Sequence, residues 1–431
     1  MEKYLRLYAE PETAALAGLL EALPDQQPWA NVVVIPACNE SADFLRPPPP
    51  CDGRSLLILV INESAFASDR VSARNHALAA TVQTKFESQW QYESQGFEIC
   101  LLKDPQAPRD VLLVDRFSAG HKLPAKGGVG HARKIGVDLA ASLIHRKRIQ
   151  SQWIHCTDAD VQLPETYFSC SNAALNSTPD IAALVYPFHH CDDEKQAESK
   201  KVILATQLYE FSLRYYVAGM KFARSPYAFH TIGSTMAVSA RHYAMVRGFP
   251  KREAGEDFYL LNKLAKVGCV IDPSQAADCD PLEIEARKSD RVPFGTGAAV
   301  TKITDLADQL RGFRFYDPAV FELLKIWLQS LPAIWKSGSN ELSDLPESLL
   351  YGLKKIKTED ALTHAFNQSR DLDQFTRQMT TWFDAFRTLK LIHILRDHEY
   401  PKISYAQLAE HQTFRQIQRL NPQPLLNTVP G

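Results

Sequence analysis

The chain has 431 residues, of which 45% are hydrophobic and 23% are charged, and its 48 basic and 50 acidic side chains leave a net charge of -2. This balance gives no overall attraction to nucleic acid or to an anionic membrane, so neither is expected as a partner. A chain of this length is too long for one compact core, and two units are predicted. No apolar run approaches the roughly 20 residues that span a bilayer, and the N-terminus lacks the apolar core of a signal peptide, so we predict a cytoplasmic protein without an integral membrane segment.

The first third of the chain alternates between predicted strands and helices. Residues 1–30 are predicted to form a helical arm and a linker, since leucines recur at helical spacing before a Pro/Gln segment. The β-branched run 32–35 is typical of a strand buried on both faces of a parallel sheet, and Pro36 is expected to end it. A second strand, 56–61, precedes a predicted helix over 69–83.

A third apolar run, 111–117, is followed by a helix that opens with glycines. The segment from Gly128 to Arg133 lacks the third glycine of a dinucleotide fingerprint and begins well beyond the strand, which disfavours a Rossmann site. The free N–H groups of this helix start, with Lys126 and Arg133, can attract phosphate or another anion. The alternative is a plain helix start with Arg133 in a surface ion pair.

An acidic corner follows the apolar run 153–156, which is predicted to be a strand. Asp158 and Asp160 lie two residues apart, so in an extended segment they present two carboxylates to one point, and a divalent cation would relieve their repulsion. Pro164 is expected at the first position of the next helix. The alternative is that one aspartate caps that helix and the other is simply solvated.

The middle of the chain predicts a strand over 181–190, a helix over 200–216, a strand over 236–238 and a helix over 240–246. An amphipathic helix is predicted over 258–267, with Glu256 and Asp257 at its start. A helix N-terminus favours an ionised carboxylate, which serves equally for a cap or for a general base.

Three segments in this order, VVVIPACNE, the strand-terminal DAD and GFP followed by EDFYL, make the chain resemble a family 2 glycosyltransferase. The resemblance covers roughly residues 30–300 and implies a GT-A fold of the nucleotide-diphospho-sugar transferase superfamily. The expected fold class is therefore α/β, with a mostly parallel sheet flanked by helices and then a C-terminal all-α region. The predicted domains are an arm (1–30), a GT-A glycosyltransferase domain (31–300) and a helical region (301–431).

The resemblance also implies a role for individual residues. It implies a metal-dependent transfer of a single sugar from a nucleotide-diphospho-sugar to the hydroxyl of a small-molecule or lipid-linked acceptor, with inversion expected. Asp257 would be the general base, with Glu256 beside it, and Gly233 and Ser234 would border the acceptor. Asp158 and Asp160 match a DXD motif that holds Mg²⁺ or Mn²⁺. The donor would contact Pro36, Ala37, Asn39, Glu40, Asn62, Lys126, Gly130, Arg133, Asp158 and Arg291.

Several features lie outside that pattern. The second strand ends in Asn62-Glu63-Ser64 instead of the family's acidic segment, so the sequence does not identify the nucleotide base. Two rival functions stay open, a sugar-phosphate nucleotidyltransferase and a non-catalytic nucleotide-sugar-binding scaffold. The helical C-terminal region could serve acceptor binding, homo-oligomer formation or support, and a loose tail is expected from residue 411. The eight cysteines include no CxxC pair and are expected to be reduced.

Overall fold

The structure is a computed structural model that describes residues 1–125, 127–174, 180–191, 200–286, 295–338 and 342–420. Its strands are β1 (Asn31–Ala37), β2 (Ser55–Asn62), β3 (Glu87–Ser94), β4 (Phe97–Lys103), β5 (Arg109–Arg116), β6 (Trp153–Cys156), β7 (Val161–Gln162), β8 (Ile181–Val185), β9 (Phe188–Cys191), β10 (Met236–Ser239), β11 (Cys269–Ile271) and β12 (Leu282–Glu285).

The helices are α1 (Glu2–Leu7), α2 (Leu16–Ala22), α3 (Asp69–Lys85), α4 (Gly128–His145), α5 (Tyr167–Ala174), α6 (Lys200–Phe222), α7 (Ala240–Met245), α8 (Glu256–Leu264), α9 (Thr296–Thr304), α10 (Gln309–Gly312), α11 (Ala319–Ser337), α12 (Glu347–Lys355), α13 (Thr358–Gln368), α14 (Leu372–Trp382), α15 (Ala385–His398), α16 (Tyr405–Glu410) and α17 (Gln412–Arg419). Short 3₁₀ helices cover Pro11–Ala15 and Pro273–Gln275.

The chain divides into two units. The first contains the described residues of Met1–Asp193 and Thr231–Glu285, and therefore both sheets and helices α1–α5, α7 and α8. The second contains α6 together with α9–α17, and all the regular elements among its described residues are helices. The domain boundaries predicted at residues 30 and 300 stay predictions.

A nine-stranded sheet, counted over the described residues, forms the centre of the first unit, with the order β11-β8-β10-β6-β1-β2-β5-β4-β3. Its central strands β6, β1, β2 and β5 are parallel, whereas β10 and the β3–β4 hairpin pair antiparallel. A smaller sheet has the order β7-β12-β9. The predicted α/β class, with helices around a sheet whose centre is parallel and a helical C-terminal region, is confirmed.

Helix α4 is the element that closes the core of the first unit. Every residue of β1 and β2 is buried, as the unbroken apolar runs predict. Helix α4 lies against both strands, and Gly136 allows this close approach, because a Cβ at that position would overlap Cγ1 of Val34. The predicted strands and helices around the core are confirmed, including β6 and α3.

The second unit has its own aromatic core. Tyr215 of α6 packs edge-to-face against Phe321 of α11 and Phe414 of α17. Trp327 of α11 contacts Phe383 in the same way. The expected loose tail is therefore wrong for residues 412–419, which form α17 with Phe414 and Ile417 buried.

Several other expectations need correction. Pro36 lies inside β1, helix α5 begins at Tyr167 instead of Pro164, and the strand predicted over 181–190 is two strands in different sheets. Cys170 and Cys279 form a disulfide, so the expectation of reduced cysteines is wrong for this pair. Among the described residues, no helix is both long and apolar enough to cross a bilayer.

Candidate active site

The candidate site lies where the four central parallel strands end. Because β6, β1, β2 and β5 run in the same direction, their carboxyl ends meet at one edge of the sheet, which we call the rim. The rim therefore carries the segments that follow these strands, which are 157–160, 38–40, 63–64 and 117 onward. Three residues predicted to bind a donor, Asn39, Glu40 and Asp158, lie on these segments. Three more, Pro36, Ala37 and Asn62, lie in the last residues of β1 and β2.

Asn75 of α3 holds the ends of β1 and β2 together. Its Oδ1 accepts a hydrogen bond from the backbone N–H of Asn39 at 2.9 Å, and its Nδ2 donates to the carbonyl of Asn62 at 3.3 Å. Asn62 in turn donates to the carbonyl of Ala37 at 3.1 Å. Asn39 adopts a left-handed conformation, with φ of 59°, which asparagine tolerates better than most residues. The predicted donor residues Ala37, Asn39 and Asn62 are thus brought together.

Two buried polar atoms at the rim have no hydrogen-bond partner within the described part of the chain. They are Oδ1 of Asn39, after β1, and Oγ1 of Thr157, after β6. Burying such atoms unpaired costs about 1–3 kcal/mol each, so native structures rarely leave them so. Neighbouring strands present both atoms, which indicates a place for a polar ligand. Thr157 carries no recognisable sequence signal, because a threonine before an acidic pair is common.

Arg133 joins three distant segments of the chain. Its guanidinium, which is 2% exposed, donates to Oδ1 of Asp158 at 2.9 Å, to Oε1 of Glu256 at 3.1 Å and to the carbonyl of Gly233 at 3.1 Å. The two carboxylates raise the pKa of Arg133 despite its burial. Arg133 therefore does not form the surface ion pair of the alternative interpretation. Its buried guanidinium instead joins Asp158, Glu256 and Gly233, and we call these four residues the arginine cluster.

Helix α8 brings Glu256 and Asp257 to the arginine cluster. Glu256 is 3% exposed, and Asp257 is half-buried. Burial, with the negative charge of Glu256, raises the pKa of Asp257 to about 7, although hydrogen bonds from the backbone of Phe258 and Gly233 oppose the shift. A carboxylate with a pKa near neutrality is suited to accept a proton from a substrate.

The acidic corner differs from the geometry that the sequence suggested. Strand β6 ends at Cys156, and the N–H of Val161 donates to the carbonyl of Asp158 at 3.3 Å, so the segment turns instead of continuing extended. The carbonyl of Asp160 accepts from Glu285 at 2.9 Å. Strand alternation therefore does not explain how the two carboxylates are directed.

The side chains at this corner supply only some of the ligands that a metal ion needs. Across the described ranges, no group of three or more His, Cys, Asp or Glu side chains is placed to hold a metal ion. Asp158 has one oxygen paired with Arg133, but its side chain is 37% exposed. Two carboxylates are too few for Mg²⁺, which takes about six oxygen ligands. An ion held at this corner would therefore need its other ligands from a bound diphosphate and water.

Gly130 has a packing contact at the start of α4. Its N–H donates to the carbonyl of Arg252 at 3.1 Å, and a Cβ there would lie 2.6 Å from the same oxygen. The helix start is therefore packed against the segment that leads to Glu256.

Of the other predicted site residues, Pro36 lies in β1, Glu40 and Ser234 are buried, and Lys126 and Arg291 lie outside the described residues.

A second polar group at the rim was missed by sequence reasoning. Glu63, which follows β2 and is fully buried, pairs with Lys122 at 2.7 Å and accepts hydrogen bonds from Ser72 and Asn75. These partners hold the pKa of Glu63 below its usual value even though burial opposes them. The group fastens the loop after β5 to the end of β2.

No protein-family model and no curated protein sequence matches this chain. Among solved structures, the chain is similar to the mannosyltransferase PcManGT from Pyrobaculum calidifontis in complex with GDP-Man and Mn2+. The identity is 17% and the TM-score is 0.33, with 92% of this chain and 100% of that chain covered. With an identity and a TM-score this low, the likeness supports no conclusion about this chain.

Proposed function

We propose that this chain is a glycosyltransferase that moves one sugar from a nucleotide-diphospho-sugar to the hydroxyl of an acceptor. The observation that carries the proposal is the arginine cluster, in which one buried guanidinium contacts Asp158, Gly233 and Glu256. Asp158 comes from the segment expected to bind the donor, and Gly233 comes from the segment expected to border the acceptor. Glu256 comes from the segment expected to accept the acceptor's proton. Their convergence supports a single reaction site and, with it, a GT-A glycosyltransferase of family 2. The domain boundaries at residues 30 and 300 are proposed from the sequence alone.

The donor is proposed to lie along the rim. The unpaired Oδ1 of Asn39 and Oγ1 of Thr157 can accept hydrogen bonds from its hydroxyls, and the threonine hydroxyl can also donate one. Pro36, Ala37, Glu40 and Asn62 belong to the same strand ends. Gly130, Lys126 and Arg291 remain proposed donor contacts.

Asp158 and Asp160 are proposed to hold a Mg²⁺ or Mn²⁺ ion together with the diphosphate. A bound divalent ion would supply charge neutralisation at the leaving diphosphate. Arg133 has a separate role in this chain, because it keeps one oxygen of Asp158 fixed at 2.9 Å and thereby orients the carboxylate.

Asp257 is proposed to accept the proton of the acceptor hydroxyl as that oxygen attacks the anomeric carbon. The new carbon–oxygen bond forms as the bond from the anomeric carbon to the diphosphate oxygen breaks, and the diphosphate leaves with the electron pair. The raised pKa of Asp257 suits this role. A single displacement inverts the anomeric centre, so inversion is proposed. Gly233 and Ser234 would border the acceptor, a small or lipid-linked molecule in the cytoplasm.

The test separates donor binding from proton transfer. We would measure binding of nucleoside diphosphates with Mn²⁺ by thermal shift, and release of nucleoside diphosphate from nucleotide-sugars. We expect Asp158→Asn to weaken binding about tenfold or more, since it removes a ligand charge. We expect Asp257→Asn to retain binding but to lose 10²-fold or more of turnover, on the scale of a general base.

Asp305→Asn is the matched control, because Asp305 is exposed and belongs to the helical unit. It should change neither binding nor turnover. A native protein that binds no nucleoside diphosphate with or without Mn²⁺ would overturn the proposal. Binding without any turnover in the wild type would favour the non-catalytic scaffold.

A further inference from the structure

The loop after β5 holds a histidine and a carboxylate in a fixed arrangement that the proposed reaction does not use. Nδ1 of His121 lies 3.0 Å from Oδ2 of Asp115 and 3.0 Å from Oγ of Ser118. Asp115 also accepts hydrogen bonds from the backbone of Phe117 and Ser118, at 2.8 and 3.0 Å, and from the Ser118 hydroxyl. Burial opposes its charge, but these bonds hold the pKa of Asp115 below its usual value.

This arrangement fixes the tautomer of a neutral His121. An ionised carboxylate only accepts hydrogen bonds, so Nδ1 must carry the hydrogen and Nε2 must be the acceptor. Within the described residues, the hydrogen bonds of His121 all involve Nδ1, so Nε2 has no partner, and the side chain is 13% exposed. His121 therefore offers one directed acceptor at the rim.

An exposed aromatic ring lies on the neighbouring loop. Phe66 follows β2 and is 84% exposed, so most of its ring surface is accessible to a ligand. Its loop and the loop of His121 are joined by a β-bridge between Ser64 and Leu123 and by the Glu63–Lys122 ion pair. A flat apolar face and a hydrogen-bond acceptor on joined loops are the two features that recognise a nucleobase.

The position along the rim agrees with this ligand. Asp158 follows β6 and Asp115 is the second-last residue of β5, and β1 and β2 lie between those two strands. Three strand spacings of ~4.8 Å separate the acidic corner from the histidine loop by about 14 Å. That is the scale of an extended nucleoside diphosphate whose phosphates lie at the acidic corner.

We propose that Phe66 and His121 form the base-recognition site of the donor and select a base with a ring N–H beside a carbonyl, as in uracil, thymine and guanine. This inference rests on the proposed function and adds the class of nucleotide. Nε2 of His121 accepts the ring N–H of these bases. Adenine and cytosine carry a lone pair at the corresponding ring position, which opposes the lone pair of Nε2. Asp115 is a positioning residue that acts through His121.

The experiment is isothermal titration calorimetry of the full chain with Mn²⁺ and five ligands, UDP, GDP, CDP, ADP and inorganic pyrophosphate. We expect the wild type to bind UDP or GDP at least about tenfold more tightly than CDP and ADP, the scale of one hydrogen bond whose loss leaves a group unpaired. His121→Ala should reduce this preference to less than about threefold. His145→Ala, an exposed histidine at the far end of α4, should preserve it.

Two further measurements do not depend on the folding of the histidine variant. Phe66→Ala should weaken all four nucleoside diphosphates about tenfold, on the scale of base stacking, and leave pyrophosphate unchanged. N3-methyl-UDP and N1-methyl-GDP, which lack the ring N–H, should lose the preference in the wild type. Equal binding of the four nucleotides and of pyrophosphate would overturn this inference alone. No binding of any ligand, pyrophosphate included, would overturn the proposed function as well.

Discussion

Arg133 is the residue whose loss should harm both the fold and the site. Its removal would leave Glu256, with a side chain 5% exposed, as a buried charge without its partner at 3.1 Å. Breaking a buried pair in this way costs about 3–5 kcal/mol. We expect Arg133→Met to lower the free energy of unfolding by that amount in urea denaturation.

Arg241→Ala supplies the comparison, since Arg241 is 73% exposed and pairs with Asp180 at 3.5 Å on the surface. Exposed pairs contribute little, so a change within about 0.5 kcal/mol is expected. Equal effects of the two variants would mean that the arginine cluster does not support the folded state.

Asp257 should give the protein a pH dependence of opposite sign for activity and for stability. Turnover needs the ionised base, so kcat/KM should fall as the pH drops through about 7. Because the pKa is raised in the folded protein, Asp257 keeps its proton there at pH values above about 4, at which the unfolded chain has released it. The stability that this group contributes is therefore lost as the pH rises from about 4 to 7.

The matching measurement is the melting temperature of Asp257→Asn across pH. The variant should be stabilised relative to the wild type at pH 8, and this gain should shrink at pH 4. A gain that is the same at both values would show that Asp257 does not have a raised pKa in the folded protein.

At the scale of elements, the packing of α4 on β1 should tolerate no side chain at position 136. A Cβ on Gly136 would overlap Val34, and strain of this kind costs about 1–3 kcal/mol. We expect Gly136→Ala to be destabilised by that amount in chemical denaturation. Gly18→Ala is the contrasting change in α2, because its Cβ would meet nothing closer than 3.8 Å. It should be neutral or stabilising by up to about 1 kcal/mol.

The disulfide between Cys170 and Cys279 links α5 to the segment before β12. It closes a loop across a sequence separation of 109, so in the chain-entropy account its loss costs about 2–5 kcal/mol. We expect Cys170→Ser to melt at a lower temperature than the wild type under non-reducing conditions. Cys269→Ser, at an exposed cysteine, should not. A reductant should lower the melting temperature of the wild type and leave Cys170→Ser unchanged.

Strands buried on both faces could be predicted from the sequence, whereas edge strands could not. The apolar runs of β1, β2 and β6 have one physical explanation, burial between two layers of helices. Strand β3 lies at the edge of the sheet and is largely exposed, so its residues carry no continuous apolar signal, and it was missed together with its hairpin partner β4. The disulfide was missed for a related reason, since nothing local marks two cysteines so far apart as partners.

The candidate site was predictable in its residues but not in its connections. Asp158, Glu256 and Gly233 could be selected from motifs. Their common contact with Arg133 spans sequence separations of 25, 123 and 100 residues, which only the folded chain reveals. The unpaired hydroxyl of Thr157 likewise depends on its burial, which the sequence does not encode locally.

At the scale of the whole molecule, two units with separate cores should not unfold as one. The first buries its core around the sheet, and the second buries an aromatic core that includes Tyr215 and Trp327. We expect a van't Hoff enthalpy smaller than the calorimetric enthalpy in differential scanning calorimetry, which marks departure from two-state unfolding. A ratio of one would show that the units unfold cooperatively.

The N-terminal arm has a consequence for biosynthesis. Tyr4 donates to Asp138 of α4, which also accepts from Tyr243 of α7, while Glu10 pairs with His131 and Lys251. The ribosome therefore produces the arm well before the last of these partners, Lys251. At about 5–20 residues per second, the arm waits for tens of seconds before it can dock. The first unit is therefore completed by a segment that is synthesised long before its partners.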